Sequence, residues 1–307
     1  MATIENVFSW SKSRDEQFRE CQRKYFFDKY LSWGGWDKAA PERVRRAYVY
    51  KNLKNRWAWK GETVHHLIED VLKNLRSGRP VAPEETLKNL TEAMREGYRA
   101  SKGKKYFADP KKCLGLFEHE YSKGVSDDVW KKIHDESAAC LKNFLESRFF
   151  AELAGDDKKS WLVIEDLEDF DLEGVKIFVK LDFARQKDGR VEIYDWKTGK
   201  DEGGEVSAQI GAYAIYAMQK WHLPLSQIRA YLFNLSHAGP EAQAQVLSEA
   251  LILKTKDTIR ASTAEMRRLL SDPAKNVPRP EEDFAFTSSD RLCGFCQFQK
   301  LCPKFNP

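Results

Sequence analysis

The spacing of apolar residues changes along this 307-residue chain. Over residues 9–31, Phe18, Cys21, Tyr25 and, less regularly, Phe26 recur at three-to-four spacing, which predicts a helix closed by Trp33-Gly34-Gly35. Residues 43–60 interleave bases and aromatics. From Gly61 the stripe Val64, Leu67, Ile68, Val71 and Leu72 predicts a second helix to about Leu75, stopped by Ser77-Gly78-Arg79-Pro80. Residues 84–155 carry helical spacing and no strand pattern, which makes them a helical insertion. Then Trp161–Glu165 and Val175–Arg185 turn β-branched and aromatic. Asp188-Gly189 is a hairpin turn and Val191–Lys197 the returning strand. A helix over 205–221, a strand over 228–235, a helix over 246–270 and a Pro-containing loop over 271–283 complete the pattern. No internal repeat or low-complexity tract interrupts it, so residues 1–307 are expected to form a single domain.

Composition adds bounds rather than function. Hydrophobic residues make up 42% and charged residues 32%, enough for a sizeable core and a wet surface. A formal charge of +4 permits a polyanionic partner without demanding one. The N-terminus has no basic start followed by an apolar run. The longest apolar stretch, around Ile210–Met218, is too short to span a bilayer. A cytoplasmic protein without a membrane partner is the expectation, and there six cysteines are a poor disulfide framework.

Chemistry concentrates in two adjacent strands. Asp182 lies in Val179-Lys-Leu-Asp-Phe-Ala-Arg185, and Asp195 and Lys197 lie in Ile193-Tyr-Asp-Trp-Lys-Thr-Gly199. The Asp188-Gly189 hairpin makes the two segments neighbours, so both carboxylates can converge on one cation. Asp195 and Lys197, two apart on a strand, share a face. Trp196 points into the core and leaves its carbonyl available to a cation. Charges embedded in an apolar strand are costly unless used. Carboxylates that hold a hard cation beside a lysine suit phosphodiester hydrolysis: the cation polarises the phosphate and lowers the pKa of water, and the lysine positions that water. Glu165 is a further acid nearby, read here as a strand-edge or structural residue.

An acidic strand, a hairpin and then Asp195-Trp196-Lys197-Thr198-Gly199 resembles the PD-(D/E)XK nuclease superfamily, in particular its RecB-like exonuclease branch with AddB-like and CRISPR-adaptation relatives. The family's G-x-x-D glycine is Val179 here. The resemblance implies a central mixed β-sheet flanked by helices, an α/β fold, with Mg²⁺ or Mn²⁺ at Asp182, Asp195 and the Trp196 carbonyl. Gly61-Glu-Thr-Val-His65 matches a G-x-x-x-H context in which the histidine joins the metal. From its own helix alone, His65 lies along the apolar stripe and reads as a buried histidine bonded to backbone; the acidic constellation turns that reading toward a metal ligand. Gln209 and Tyr213, four apart on one helix face, resemble the family's Q-x-x-x-Y signature, which contacts lysine, phosphate or strand backbone.

Cys293, Cys296 and Cys302 form a C-x2-C-x5-C cluster, and Cys21 stands near the other end of the chain. Four thiolates suit a [4Fe–4S] cluster or Zn²⁺. The resemblance implies iron: relatives in this branch use one N-terminal and three C-terminal cysteines to clip the chain ends together. That element would combine residues 284–307 with Cys21. For nucleic-acid contact, Trp57 and Trp59, flanked by Arg56 and Lys60, are the stacking candidates; the alternative is an amphipathic helix with aromatic core residues and snorkelling bases. The expected function is metal-dependent exonuclease action on DNA with single-stranded character, in repair, recombination or CRISPR-type processing. The alternative is a non-catalytic DNA-binding scaffold of the same fold. No Walker motif is present, so unwinding would need a helicase or another repair partner.

Overall fold

The computed structural model describes residues 5–199 and 208–305. It opens with strand β1 (Ser9–Trp10), helix α1 (Lys12–Glu20), helix α2 (Gln22–Phe26) and a π-helical turn over Phe27–Leu31. The single helix expected over 9–31 is thus broken. Ser11 caps α1, and at Cys21 the backbone is extended (φ −165°, ψ 111°), with its sulfur accepting from the Lys24 N–H. Helix α3 (Glu42–Lys51) and strand β2 (Leu53–Lys54) follow, then α4 (Arg56–Arg76). α4 starts before Gly61 because Asn55 caps it, accepting from Ala58 N–H at 2.8 Å. Next come α5 (Pro83–Lys102), β3 (Gly115–Leu116), α6 (Phe117–Glu120), α7 (Asp127–Leu145) and α8 (Arg148–Gly155). The two-residue strands β2 and β3 pair with each other, apart from the main sheet.

The main sheet is built on two hairpins: β4 (Trp161–Leu172), β5 (Val175–Lys187) and β6 (Arg190–Lys197). Both turns place two residues at positive φ: Glu173-Gly174 at 55° and 77°, and Asp188-Gly189 at 48° and 72°. These values match the right-handed twist of the flanking strands. Helix α9 (Ala208–Lys220) leads to β7 (Ile228–Asn234), parallel to β6, and β8 (Ala242–Gln245) closes that edge antiparallel. Helix α10 (Glu249–Arg268), the small hairpin β9 (Leu270–Asp272) and β10 (Val277–Pro278), and helix α11 (Asp290–Gly294) complete the chain. The hairpin occupies part of the stretch expected to be a loop. The α/β architecture, a central mixed sheet flanked by helices, is as the sequence led us to expect. No helix among the described residues is long and apolar enough to cross a membrane.

One irregularity positions the chemistry. On one side β5 pairs with β4 along most of its length. On the other it meets β1 at residues 176–177 and β6 only from residue 183 onward. Residues 178–182 therefore lie in a fork between two strands. The alternation of faces also slips there. Ile177, Val179 and Leu181 join the core beneath α9 and α10, whereas Phe183 joins the core beneath α4, α7 and α8. Beside the slip, Glu165 of β4 is held at φ 52°, a strained value for a buried non-glycine residue. α9 is pressed onto α10 at Gly211, where a Cβ would sit 2.0 Å from Thr255 Oγ1. That contact fixes the helix bearing Gln209 and Tyr213.

Candidate active site

The fork gathers carboxylates. His65 of α4, Glu165 of β4 and Asp182 of β5 offer ligating atoms that all lie within 4.8 Å of one another. His65 Nδ1 is 2.8 Å from Glu165 Oε1 and 3.4 Å from Asp182 Oδ1. The other oxygen of Asp182 accepts from the Trp196 N–H at 2.7 Å, which ties β5 to β6 where the strands part. Asp195 Oδ1 accepts from Gln209 Nε2 at 3.1 Å and lies 3.2 Å from the Tyr213 hydroxyl. Tyr213 donates to the Lys180 carbonyl at 2.6 Å, occupying a backbone acceptor in the fork. Lys197 Nζ stands 2.5 Å from Asp195 Oδ2 and donates to Gln209 Oε1 at 3.4 Å. Trp196 buries its ring in the core, against Phe144 and Phe233.

The electrostatics are those of a cation site. Burial disfavours a charged His65, but the Asp182 and Glu165 carboxylates outweigh it and raise its pKa to about 10. Burial, and then Asp182, push Asp195 up to about 6 against the opposing pull of Lys197 and His65. Burial alone would raise Glu165, yet His65 and Lys180 carry it below the usual carboxylate range. Lys180 Nζ reaches Glu165 Oε2 at 2.7 Å. Asp195 Oδ2 and Glu165 Oε2 are buried and, despite these ion pairs, accept no hydrogen bond of ordinary geometry. Carboxylate oxygens with one imidazole fit a divalent cation of the Mg²⁺ or Mn²⁺ type.

Residues 9–303 match the sequence profile of the PD-(D/E)XK nuclease superfamily. The chain belongs to that superfamily. No curated protein matches it. Eleven chains of solved structures do. One, a crystal structure of SSO0001, is 17% identical over 61% of this chain and 79% of its own, with a TM-score of 0.27. That overlap adds nothing to the reading of the site. The superfamily's usual members are nucleases that use divalent metals, which agrees with the donor set at the fork.

At this candidate site the structure brings together Asp182, Asp195, Lys197, Gln209, Tyr213, His65 and the Trp196 backbone. Glu165 sits on β4, which pairs only with β5 and so forms an edge of the sheet, yet it is buried and touches His65, inside the acidic cluster. A signal was present: Glu165 follows the apolar run Trp161–Ile164, where an unused charge is costly.

The four residues proposed for nucleic-acid contact separate. Trp59 is 7% exposed, its ring 6.3 Å from that of Trp130. Lys60 is buried and paired with Glu136 at 3.0 Å. Lys60 has no face for a phosphate and Trp59 keeps only an edge at the surface, because the Asn55 cap carries α4 upstream and α5 and α7 pack against that turn. Arg56 pairs with Glu118 at 3.1 Å and stacks 3.8 Å over Trp57. Trp57 is exposed, near Phe295.

Cys21, Cys293, Cys296 and Cys302 line a single cavity with Arg23, Lys24 and Lys304. The enclosed space is small, about 30 Å³, and part of its rim is Phe286, Leu292 and Phe305, all exposed. The chain ends are already joined by polypeptide contacts. The Arg23 N–H donates to the Ala285 carbonyl at 3.0 Å, and the Arg23 guanidinium meets Glu281 at 3.1 Å. Burial, with help from the sulfurs of Cys21 and Cys302, pushes the Cys296 thiol up to about 11 although Lys24 opposes it. Cys113 and Cys140 lie outside this cavity.

Proposed function

We propose that the protein is a metal-dependent deoxyribonuclease that trims DNA with single-stranded character, in repair, recombination or CRISPR-type processing. The observation that carries the reading is the convergence of His65, Glu165 and Asp182, whose ligating atoms lie within 4.8 Å of one another, beside Asp195 and a half-exposed lysine. Asp182, Asp195, Glu165, His65 and the Trp196 carbonyl would hold one or two divalent ions. Such an ion supplies Lewis-acid polarisation of the phosphate and a more acidic water. Lys197 reaches outward from the same strand face as Asp195, where its ammonium orients the attacking water and balances charge on the phosphoryl oxygens. Gln209 holds Lys197 and Asp195 in register, and Tyr213 anchors that arrangement to β5. A strand-separating partner would deliver the single strand.

End-labelled single- and double-stranded DNA, incubated with Mg²⁺ or Mn²⁺, tests this. Cleavage should require the metal, disappear in Asp195→Ala and proceed at least as fast with Mn²⁺, which imidazole ligation favours. A strict preference for Mg²⁺ would count against His65 as a ligand, and no cleavage with either ion would remove the reading.

The same proposal includes a structural [4Fe–4S] cluster at the four cysteines. Four thiolates around such a cluster leave net negative charge, and Arg23, Lys24 and Lys304 supply nearby positive charge. Four thiolates would also suit Zn²⁺; the family resemblance in the cysteine layout is what favours iron. Anaerobic purification should yield a brown protein that bleaches in air and loses its colour in Cys296→Ala. A colourless protein containing zinc would overturn the iron assignment.

A further inference from the structure

A cleft of about 830 Å³ lies between α4, α5 and the turn that follows α5. One wall is the face of α4 that carries Trp59, Glu62, Thr63 and His66. These residues are spaced by three and four, so they stack on one side of the helix. His65 is the adjacent residue, rotated by about 100° toward the carboxylates. The cleft therefore flanks the candidate metal centre and shares a helix with it.

The facing wall is basic. Arg99 comes from the last turn of α5, Lys105, Lys111 and Lys112 from the turn beyond it, and Lys54 from β2. The acids in the lining are Glu62 and Glu96. Glu62 is engaged by Lys54, and Lys112 stands 3.9 Å from Asp109. Arg99, Lys105 and Lys111 are exposed and have no carboxylate partner among the described residues. Like charges gathered in one concavity repel one another and concentrate anions there. The cations are spread along the wall rather than focused on one point, and they sit at the surface rather than in a buried cradle. That arrangement suits a chain of phosphates better than a single small anion, and it reads backbone rather than base.

We propose that this cleft carries the backbone of the substrate strand on one side of the scissile phosphate, so that single-stranded DNA runs from the turn over 103–114, across α4, to the carboxylates. The proposal rests on the nuclease reading for what happens at the carboxylates, but not for binding in the cleft.

The test measures binding separately from cleavage. In an Asp195→Asn background, Arg99→Ala/Lys105→Ala/Lys111→Ala is titrated against a fluorescein-labelled single-stranded DNA oligonucleotide by anisotropy at several salt concentrations. A control variant, Lys88→Ala/Lys131→Ala/Lys142→Ala, removes three exposed cations that do not line the cleft. The cleft variant should bind about tenfold or more weakly, and its plot of log affinity against log salt should flatten by about 2, the share of three phosphate contacts on a single strand. The control should match its parent. Unchanged affinity in the cleft variant, or equal loss in both variants, overturns the proposal. A wild-type protein that binds through the cleft but cuts nothing overturns the nuclease reading alone.

Discussion

Replacing Asp195 by Asn is expected to abolish cleavage and, in the same molecule, to make the metal-free protein harder to unfold. Asp195 is 2% exposed, and burial together with Asp182 raises its pKa from an ordinary 3.8 to about 6. The folded protein thus binds that proton more tightly than the unfolded chain does. Stability from this group is greatest below the unfolded value, declines as pH climbs between the two, and above about pH 6 the full penalty, on the order of 3 kcal/mol, is present. Asparagine never ionises. Its oxygen can still accept from Gln209 Nε2. The ion pair with Lys197 is lost, but that lysine is 43% exposed and the pair contributes little after solvent screening. Urea unfolding near neutral pH, with chelator present, should therefore show Asp195→Asn more stable by about 1–3 kcal/mol, with the gain vanishing near pH 4. Cleavage should fall by about 10³-fold or more, since cation-held transition-state charge is worth several kcal/mol. A variant that is both inactive and less stable at neutral pH would mean that this carboxylate serves the fold.

Part of this site is legible without coordinates because its geometry is local. Asp195 and Lys197 share a face through the two-residue repeat of a strand, and the Asp188-Gly189 turn sets Asp182 beside them. Gln209 and Tyr213 are joined by the helical repeat. The rest depends on contacts that no local rule specifies. Glu165 meets His65 across a sequence separation of 100 residues, at a backbone value that no strand pattern predicts. The orientation of Trp57 and Trp59 hung on where α4 begins. A start at Gly61 leaves both free to face DNA, whereas a start at the Asn55 cap turns Trp59 under α5 and α7. The break at Cys21 was hidden for a related reason: a helical spacing of apolar residues survives a kink, and the kink itself is a capping event by a sulfur. The basic turn after α5 gave no sequence signal beyond its charge, because only tertiary packing sets it opposite the His66 face of α4.

Metal loading should depend steeply on pH, with an effect approaching 10³-fold across the accessible range. In the metal-free site the imidazole of His65 is a cation, held near pKa 10 by the Asp182 and Glu165 carboxylates. A divalent ion cannot bind the same nitrogen until that proton leaves. Binding therefore releases one proton throughout the range below about 10, and affinity for Mn²⁺ should tighten about tenfold per pH unit from about pH 6 to about pH 9. Below about 6 Asp195 is protonated as well, so a second proton must leave and the dependence should steepen. Calorimetric titration in buffers of different ionisation heat counts these protons directly. Glu165→Gln separates the two contributions of that residue. It removes a ligand, so affinity at high pH should drop by about 10–100-fold. It also removes one of the carboxylates that hold the proton on His65, so fewer protons should be released near pH 9. Affinity independent of pH between 6 and 9, with no proton release, would show that the ion binds without displacing the His65 proton. The same carboxylates thus serve the empty and the loaded centre: without an ion they are balanced by a protonated imidazole, which offsets the cost of burying them, and with one they are balanced by the metal.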